Sequence, residues 1–429
     1  VTTTLPPLYR TAAGADASVP GPPAAGTPAA PVDFSAYCQD LFGTLARSDQ
    51  RRWGEVYVRG LLDVPGRKTP ARISEQVLGR RAVQQIQQFV NQSPWPCGPV
   101  RRRLAGQLDQ AFATEAWCVD EVVFAKNGDR SVGVARQYAP SMERTVNCQL
   151  ALATSLVGRH GGVPVSWRLL LPQRWDRDEV LRRQAHLPDG ERSRPRWRYI
   201  LEAVDEMLEE WCLEPLPVLV DWRGEGDVAP LLRGLEARGL AYLVEVSPTV
   251  AVTLPRPCAG SPQGSGTLLE LAVHAAQHRG RTPIAWQDRA TARMRQSQVL
   301  SMPALLQSEA QPPGAAGRPA ESRPAQRPRH LVTDWPYGRP APRAYWLTNL
   351  PARNLPDVLP LAQLRALSGQ SLGRMQRDFG LADFEGRSFR GWHHHVTLAS
   401  VALGYDALCS PYRSQPTAPK SMSPRPGTP

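Results

Sequence analysis

LAQLRALSGQSLGRMQRDFG (361–380) runs directly into LADFEGRSFRGWHHHVTL (381–398). The first half reads as a helix stopped at Gly380, and it offers no carboxylate before Asp378. The second half leads to a helix start at Gly391-Trp392, followed by His393, His394 and His395. Adjacent residues on a helix point to different faces, so one metal cannot easily take all three imidazoles; DNA contact or core packing suits them better. Two aspartates far upstream, Asp120 and Asp221, gain meaning if this stretch folds back onto them.

Asp221 ends the apolar run Leu216 to Val220 and precedes Gly224 and Gly226. A helix over Val228 to Arg238, a stop at Gly239 and a strand over Ala241 to Val246 follow. Strand, carboxylate, glycine turn, helix and strand make an α/β pattern, and the carboxyl edge of such a sheet is where sites assemble. Trp117-Cys118-Val119 is a second short apolar run, ending at Asp120-Glu121. Two strand-end aspartates allow a shared divalent-metal site, since magnesium takes hard oxygen ligands. Two ions about 4 Å apart can drive phosphodiester chemistry. By spacing alone, a turn or cap role for each aspartate stays open.

Working outward, Phe34 to Phe112 reads helical until Pro94 and Pro96 interrupt it, with apolar residues such as Leu41 and Leu45 at helical spacing. Arginines cluster at its edges, including Arg67 beside Lys68 and the triplet Arg101-Arg102-Arg103. A helical module with basic ends can lie on a DNA backbone or simply cap the next domain. Ser131 to Tyr138 and Val146 to Val157 read as strands, 176 to 196 as charged and irregular, and Trp197 to Trp211 as an amphipathic helix. Residues 247 to 343 break the rhythm, and Ala344 to Leu350 resumes a strand. Residues 1–32 and 411–429 are poor in large apolar groups and are expected to be disordered; 311–329 is a Pro-rich loop.

The chain of 429 residues carries a formal charge of +12, with only Lys68, Lys126 and Lys420 among its 51 basic residues. Arginine's flat fork of donors matches phosphate, and the charge suits a polyanion partner. Seven scattered cysteines without a C-x-x-C pair argue against a zinc ribbon or disulfide framework. No window reaches the roughly 18 apolar residues of a membrane span. A cytoplasmic protein is expected.

Several long stretches resemble bacterial insertion-sequence transposases of the DDE superfamily, in the group whose last helix bears a Tyr-Arg-Glu-Lys signature. They are RRWGEVYVRGLLDVPGRK (51–68), QQFVNQSPWPCGPVRRRL (87–104), VDEVVFAKNGDRSVGVARQY (119–138), NCQLALA (147–153), WRLLLPQRW (167–175), GLEARGLAYLVEV (234–246), AYWLTNLP (344–351) and FEGRSFRGWHHHVTL (384–398). The resemblance implies that Asp120 and Asp221 are the two catalytic, metal-binding aspartates, with Glu121 as an acid beside the first. It also implies that the signature arginine is Arg365. The chain departs from the pattern in three places. The turn after Asp221 reads Trp222-Arg223-Gly224-Glu225-Gly226, the family glutamate falls on Gly369, and the lysine seven residues later is Gln376. Glycine offers no oxygen ligand. Asp378 lies nine residues further on, about 13 Å along a helix axis, and Glu385 lies beyond Gly380.

The expected fold is an α/β, RNase H-like catalytic domain in two parts (114–246 and 344–410). A β-containing insertion (247–343) interrupts it, and a small helical N-terminal DNA-binding module (33–113) precedes it. The resemblance implies Mg²⁺ or Mn²⁺ as cofactor if the site is active. Its implied partner is double-stranded DNA, either element ends or a derived host site, with a possible homodimer and a nucleoid location. Arg67, Lys68, Arg101, Arg102, Arg103, Arg387 and Arg390 are the candidate phosphate contacts. Two functions follow: a transposase impaired by loss of the glutamate at Gly369, or a domesticated descendant that binds DNA without cutting it.

Overall fold

A computed structural model describes residues 32–159, 161–255, 264–289, 293–310, 329–351 and 355–413. The expectations for 1–31, 311–328 and 414–429 lie outside those residues. The chain begins with α1 (Phe34–Phe42), α2 (Ser48–Asp63), α3 (Pro70–Leu78), α4 (Val83–Asn91) and α5 (Cys97–Ala111). Local chemistry sets these boundaries. Before α3, the Thr69 hydroxyl accepts the Arg72 N–H at 3.3 Å and Pro70 opens the first turn; Gly79, at φ 62°, ends it.

The central sheet follows from β1 (Thr114–Ala125), β2 (Ala135–Ala139), β3 (Arg144–Gly158), β4 (Gly161–Leu170), β5 (Val218–Asp221) and β6 (Tyr242–Glu245). β1, β3 and β4 form an antiparallel meander, and β5 then β6 lie parallel to β1 on its other side. This β4-β3-β1-β5-β6 order is the RNase H-like arrangement expected for a DDE nuclease domain. Between β4 and β5 lie α6 (Arg174–Arg177), α7 (Glu179–Gln184) and α8 (Arg196–Asp205); α9 (Ala229–Ala237) connects β5 to β6. Residues 176 to 196 are therefore partly helical, because the Asp178 carboxylate caps α7 by accepting the Val180 and Leu181 N–H groups at 3.0 and 2.9 Å. The expected strand at 131–138 starts only at Ala135, after a left-handed turn at Gly133 (φ 71°).

The middle of the chain supplies β7 (Ala251–Thr253), β8 (Ser265–Thr267), α10 (Leu268–Arg279), β9 (Thr282–Gln287), β10 (Met294–Leu306), α11 (Gln307–Ala310) and β11 (Arg329–Trp335). β12 (Ala344–Thr348) pairs with both β6 and β11, and β11 pairs with β10. The inserted strands thus extend the same sheet instead of standing apart from it. Two long helices follow, α12 (Leu355–Asp378) and α13 (Phe389–Arg413), the latter reaching three residues into the stretch read as tail.

Each strand alternates its side chains between two faces. On one face Ala116, Cys118, Leu219 and Leu243 pack under Leu364 and Leu367 of α12. On the other, Trp117, Val119, Val220 and Val244 join a core that includes α8, α9, α13 and the N-terminal helices. The helical module therefore shares its hydrophobic core with the sheet. Its attachment is also polar: the Tyr37 hydroxyl donates to Val401 O at 2.8 Å.

Candidate functional site

Strand alternation, continued one step beyond the core, builds the site. Residues 116 and 118 face α12, so Asp120 does too; Leu219 and Leu243 likewise put Asp221 and Glu245 on that face. β5 and β6 pair Asp221 with Glu245, and β1 pairs Val119 with Val220, one residue before each aspartate. Three carboxylates thus lie side by side where β5 and β6 end and β1 runs on past Asp120 to Ala125. The sequence reading found two of them. Glu245 was missed, although YLVE at 242–245 repeats the apolar-run-then-acid pattern of VLVD at 218–221.

One guanidinium sits among the three. Arg365 Nη2 lies 3.5 Å from Asp120 Oδ1 and 3.3 Å from Asp221 Oδ2, and Nη1 donates to Glu245 Oε2 at 3.0 Å. Sharing a nitrogen caps the separation of those two aspartate oxygens at about 6.8 Å. Ser368, one turn along α12, donates its hydroxyl to Asp120 Oδ2 at 2.6 Å. Arg223 closes the other side: its Nε and Nη2 donate to Asp221 at 3.0 and 2.7 Å, and Nε lies 3.3 Å from Glu245 Oε1.

Burial raises the pKa of Asp120, opposed by the charge of Arg365 and the bond from Ser368. Glu245 is raised in the same way by burial, against Arg223 and Arg365. Asp221 is also pushed up by burial, but the Arg223 bonds and the Arg365 charge outweigh this and hold it at about 2.

Asp120, Asp221, Arg223 and Arg365 border a cleft of about 960 Å³ whose α12 wall is Arg365, Gly369, Leu372, Gly373 and Gln376. Gly369 is exposed there, and a Cβ built on it meets nothing within 4 Å. The cleft therefore has room where the family glutamate would project. Asp378 and Glu385 do not fill it: they pair with Arg374 at 3.9 Å and Arg67 at 2.5 Å. Glu121, on the opposite pleat from Asp120, accepts from the Ser141 hydroxyl and lies 2.7 Å from Arg196, which also binds Glu225 at 2.5 Å. The altered turn after Asp221 is thereby tied down, with Trp222 Nε1 donating to Gly226 O at 2.9 Å.

The acids do not fit a two-ion cage. Guanidinium nitrogens already approach oxygens of all three, and no group of three or more His, Cys, Asp or Glu at metal-holding spacing occurs among the described residues.

The candidate phosphate contacts divide sharply. Arg102, Arg387 and Arg390 are exposed, Arg67 is exposed in its pair with Glu385, and Arg103 is exposed but bound to Asp40. Arg101 and Lys68 are corrections. Arg101 is 3% exposed and bonds Thr397, His393 and the Trp167 carbonyl; Lys68 is buried, with its ammonium on Val64 O. The histidine triplet serves packing in three directions. His393 meets Arg101, His394 stacks on Trp95 at 3.8 Å, and His395 Nδ1 accepts from the Tyr57 hydroxyl at 3.0 Å. Two further bases meet the loop between α12 and α13, where Lys126 Nζ donates to Phe384 O and Arg67 pairs with Glu385, while Val132 N–H donates to Arg387 O. Among the described residues no helix is long and apolar enough to cross a membrane.

Comparison with curated proteins returns no match. The family model of the DDE superfamily endonuclease matches residues 40–307, a span that contains Asp120, Asp221 and Glu245. That match covers more than half of the chain, which belongs to the DDE superfamily of endonucleases.

Proposed function

We propose that this protein binds double-stranded DNA over the acid cleft and descends from an insertion-sequence transposase whose strand cleavage has been impaired. The observation that carries the reading is the α12 wall. Arg365 reaches the two aspartates, but one turn on, where a carboxylate would complete a metal cage, stands Gly369 with open space beyond it. In a DDE endonuclease a divalent ion, Mg²⁺ or Mn²⁺, polarises the phosphate and activates the attacking oxygen.

The chain's own groups favour holding DNA. Arg67, Lys126, Arg387 and Arg390 border the α12–α13 loop, where they can take successive phosphates. Tyr138 and Met142, 52% and 38% exposed, stand on the cleft wall and offer apolar surface to an unpaired base. A chromosomal location and a synaptic homodimer would follow from the ancestry.

The test is a nicking assay on supercoiled and linear duplex DNA with Mg²⁺ or Mn²⁺. The wild-type protein is expected to bind without cutting, and Gly369→Glu to recover cutting that Asp120→Ala then removes. Robust wild-type cleavage lost in Asp120→Ala would show an active nuclease instead. For binding, affinity should drop by orders of magnitude between about 50 and 200 mM salt; a flat salt dependence would rule out a phosphate-tracking interface.

A further inference from the structure

We propose that Arg365 is the resident cation of this site, holding Asp120, Asp221 and Glu245 together in the place a divalent ion would take, so that metal enters only when the guanidinium leaves. The inference deepens the reading of an impaired cleft and rests on it for the site's ancestry, but not for its geometry. It also assigns Glu245 as the third carboxylate, supplied by β6 where α12 supplies none.

Three carboxylates on one pleat of three adjacent strands repel one another and need a compensating positive charge. Arg365 provides it with both terminal nitrogens, Nη2 within 3.5 Å of both aspartates and Nη1 at 3.0 Å from Glu245. Its position is enforced by packing, because Leu364 and Leu367 on either side of it are buried under the sheet. Ser368 fixes the remaining Asp120 oxygen and Arg223 fixes Asp221 from the opposite side, so each acid already has a donor directed at it. Magnesium demands oxygens at about 2.0–2.1 Å in octahedral array. It cannot settle among the three acids at that distance while the Arg365 guanidinium stands between them. A glutamate at 369, one turn from Arg365, would compete with the three acids for the guanidinium, and glycine removes that competitor.

The experiment uses the full chain without DNA, so that it is independent of cleavage. Mn²⁺ binding is followed by electron paramagnetic resonance, and thermal unfolding is measured with and without MnCl₂, for the wild type, Arg365→Met and Arg365→Met with Asp221→Asn. The wild type should bind Mn²⁺ weakly and show no metal-dependent shift in Tm. Arg365→Met should melt lower, bind Mn²⁺ at least about tenfold more tightly because a neighbouring positive charge is gone, and regain more than half of its lost Tm with the metal. The added Asp221→Asn should abolish that recovery.

Tight Mn²⁺ binding by the DNA-free wild type would overturn the proposal even if Arg365→Met failed to fold, and so would an Arg365→Met that is as stable as wild type without metal. Cleavage of DNA by the wild type would instead refute only the impaired-nuclease reading.

Discussion

The arginine triplet gives the sharpest test of how structure divides apparently equivalent charges. Arg101 faces inward because it shares the α5 stripe with Leu104, Ala105 and Leu108, at i, i+3, i+4 and i+7. Its guanidinium bonds neutral groups: Thr397 Oγ1 at 2.8 Å, His393 Nδ1 at 3.1 Å, His393 O at 3.4 Å and Trp167 O at 3.5 Å. Burial pushes its pKa down. Arg101→Ala takes the donor from His393 Nδ1, at about 1–3 kcal/mol for an unpaired buried acceptor, and opens a cavity between α5, β4 and α13 whose cost adds to that. Arg101→Met refills much of the volume and relieves the buried charge, but leaves His393 Nδ1 without that donor, for a smaller loss of about 1–3 kcal/mol. Arg102→Ala, on the exposed side, should change stability by less than about 0.5 kcal/mol. If it contacts phosphate, it should lower the salt slope of DNA binding by about one. Urea unfolding and fluorescence anisotropy on the same three variants separate the roles. The reasoning fails if Arg101→Ala keeps wild-type stability while weakening DNA binding.

Other substitutions follow from the same geometry. Gly369→Ala should stabilise the protein by about 0.5–1 kcal/mol, since glycine costs that much in a helix and the new methyl meets nothing; a loss in urea unfolding would mean that the position is not open. Gly60→Ala should destabilise by about 1–3 kcal/mol, because its Cβ would lie 2.5 Å from Ile73 where α2 crosses α3; unchanged unfolding would show that Ile73 yields freely. His395 gives a pH prediction. Burial lowers its pKa from 6.5 to about 4, opposed by the Leu381 and Gly380 carbonyls, so the unfolded chain takes up a proton that the folded one refuses. Its contribution to stability is complete above the ordinary histidine range and is lost as pH falls from 6.5 toward 4, at up to about 1.4 kcal/mol per pH unit. His395→Gln should flatten the acid limb by about one proton, whatever His393 and His394 contribute; an unaltered limb would mean that the ring is protonated when folded.

Much of the site was legible because strand ends are marked by composition. An apolar run broken by an acid gave β1 and β5, and alternation places both aspartates on one face. What escaped had no such mark, or had one that was discounted. Glu245 bears the same mark as Asp221, yet no glycine turn follows it to draw attention. In the sequence Arg101 stands beside Arg102 and Arg103 as an equal candidate for phosphate contact, although the spacing to Leu104 and Leu108 puts it on the buried stripe. In the insertion, Thr267 and Glu270 form a capping box that starts α10, a signal present in T-x-x-E but hidden by the irregular residues around it. β10 was obscured by its polar first half and by Pro303, which the strand accommodates opposite His330. Arg365's three-way contact could not be read at all, because it depends on how α12 crosses strands more than a hundred residues away.

Charge accounting across the α12 face yields the remaining prediction. Asp120, Asp221 and Glu245 face Arg365 and Arg223, so with all groups ionised the cluster carries one net negative charge. A single proton balances it, and Asp120, raised by burial, is a ready acceptor. Two divalent ions would overshoot by three charges unless an arginine withdrew. Gly369→Glu changes the balance: a fourth acid one turn from Arg365 leaves two negative charges and draws the guanidinium off the aspartates, which opens their oxygens to one divalent ion. That variant should therefore gain a metal-dependent rise in stability that the wild type lacks, about 2.7 kcal/mol when Mn²⁺ exceeds its dissociation constant a hundredfold. Thermal unfolding across a Mn²⁺ titration reads this without any DNA present. If Gly369→Glu unfolds at the same temperature with and without the ion, or if the wild type shifts as much as the variant does, net charge is not what keeps metal out of the cleft.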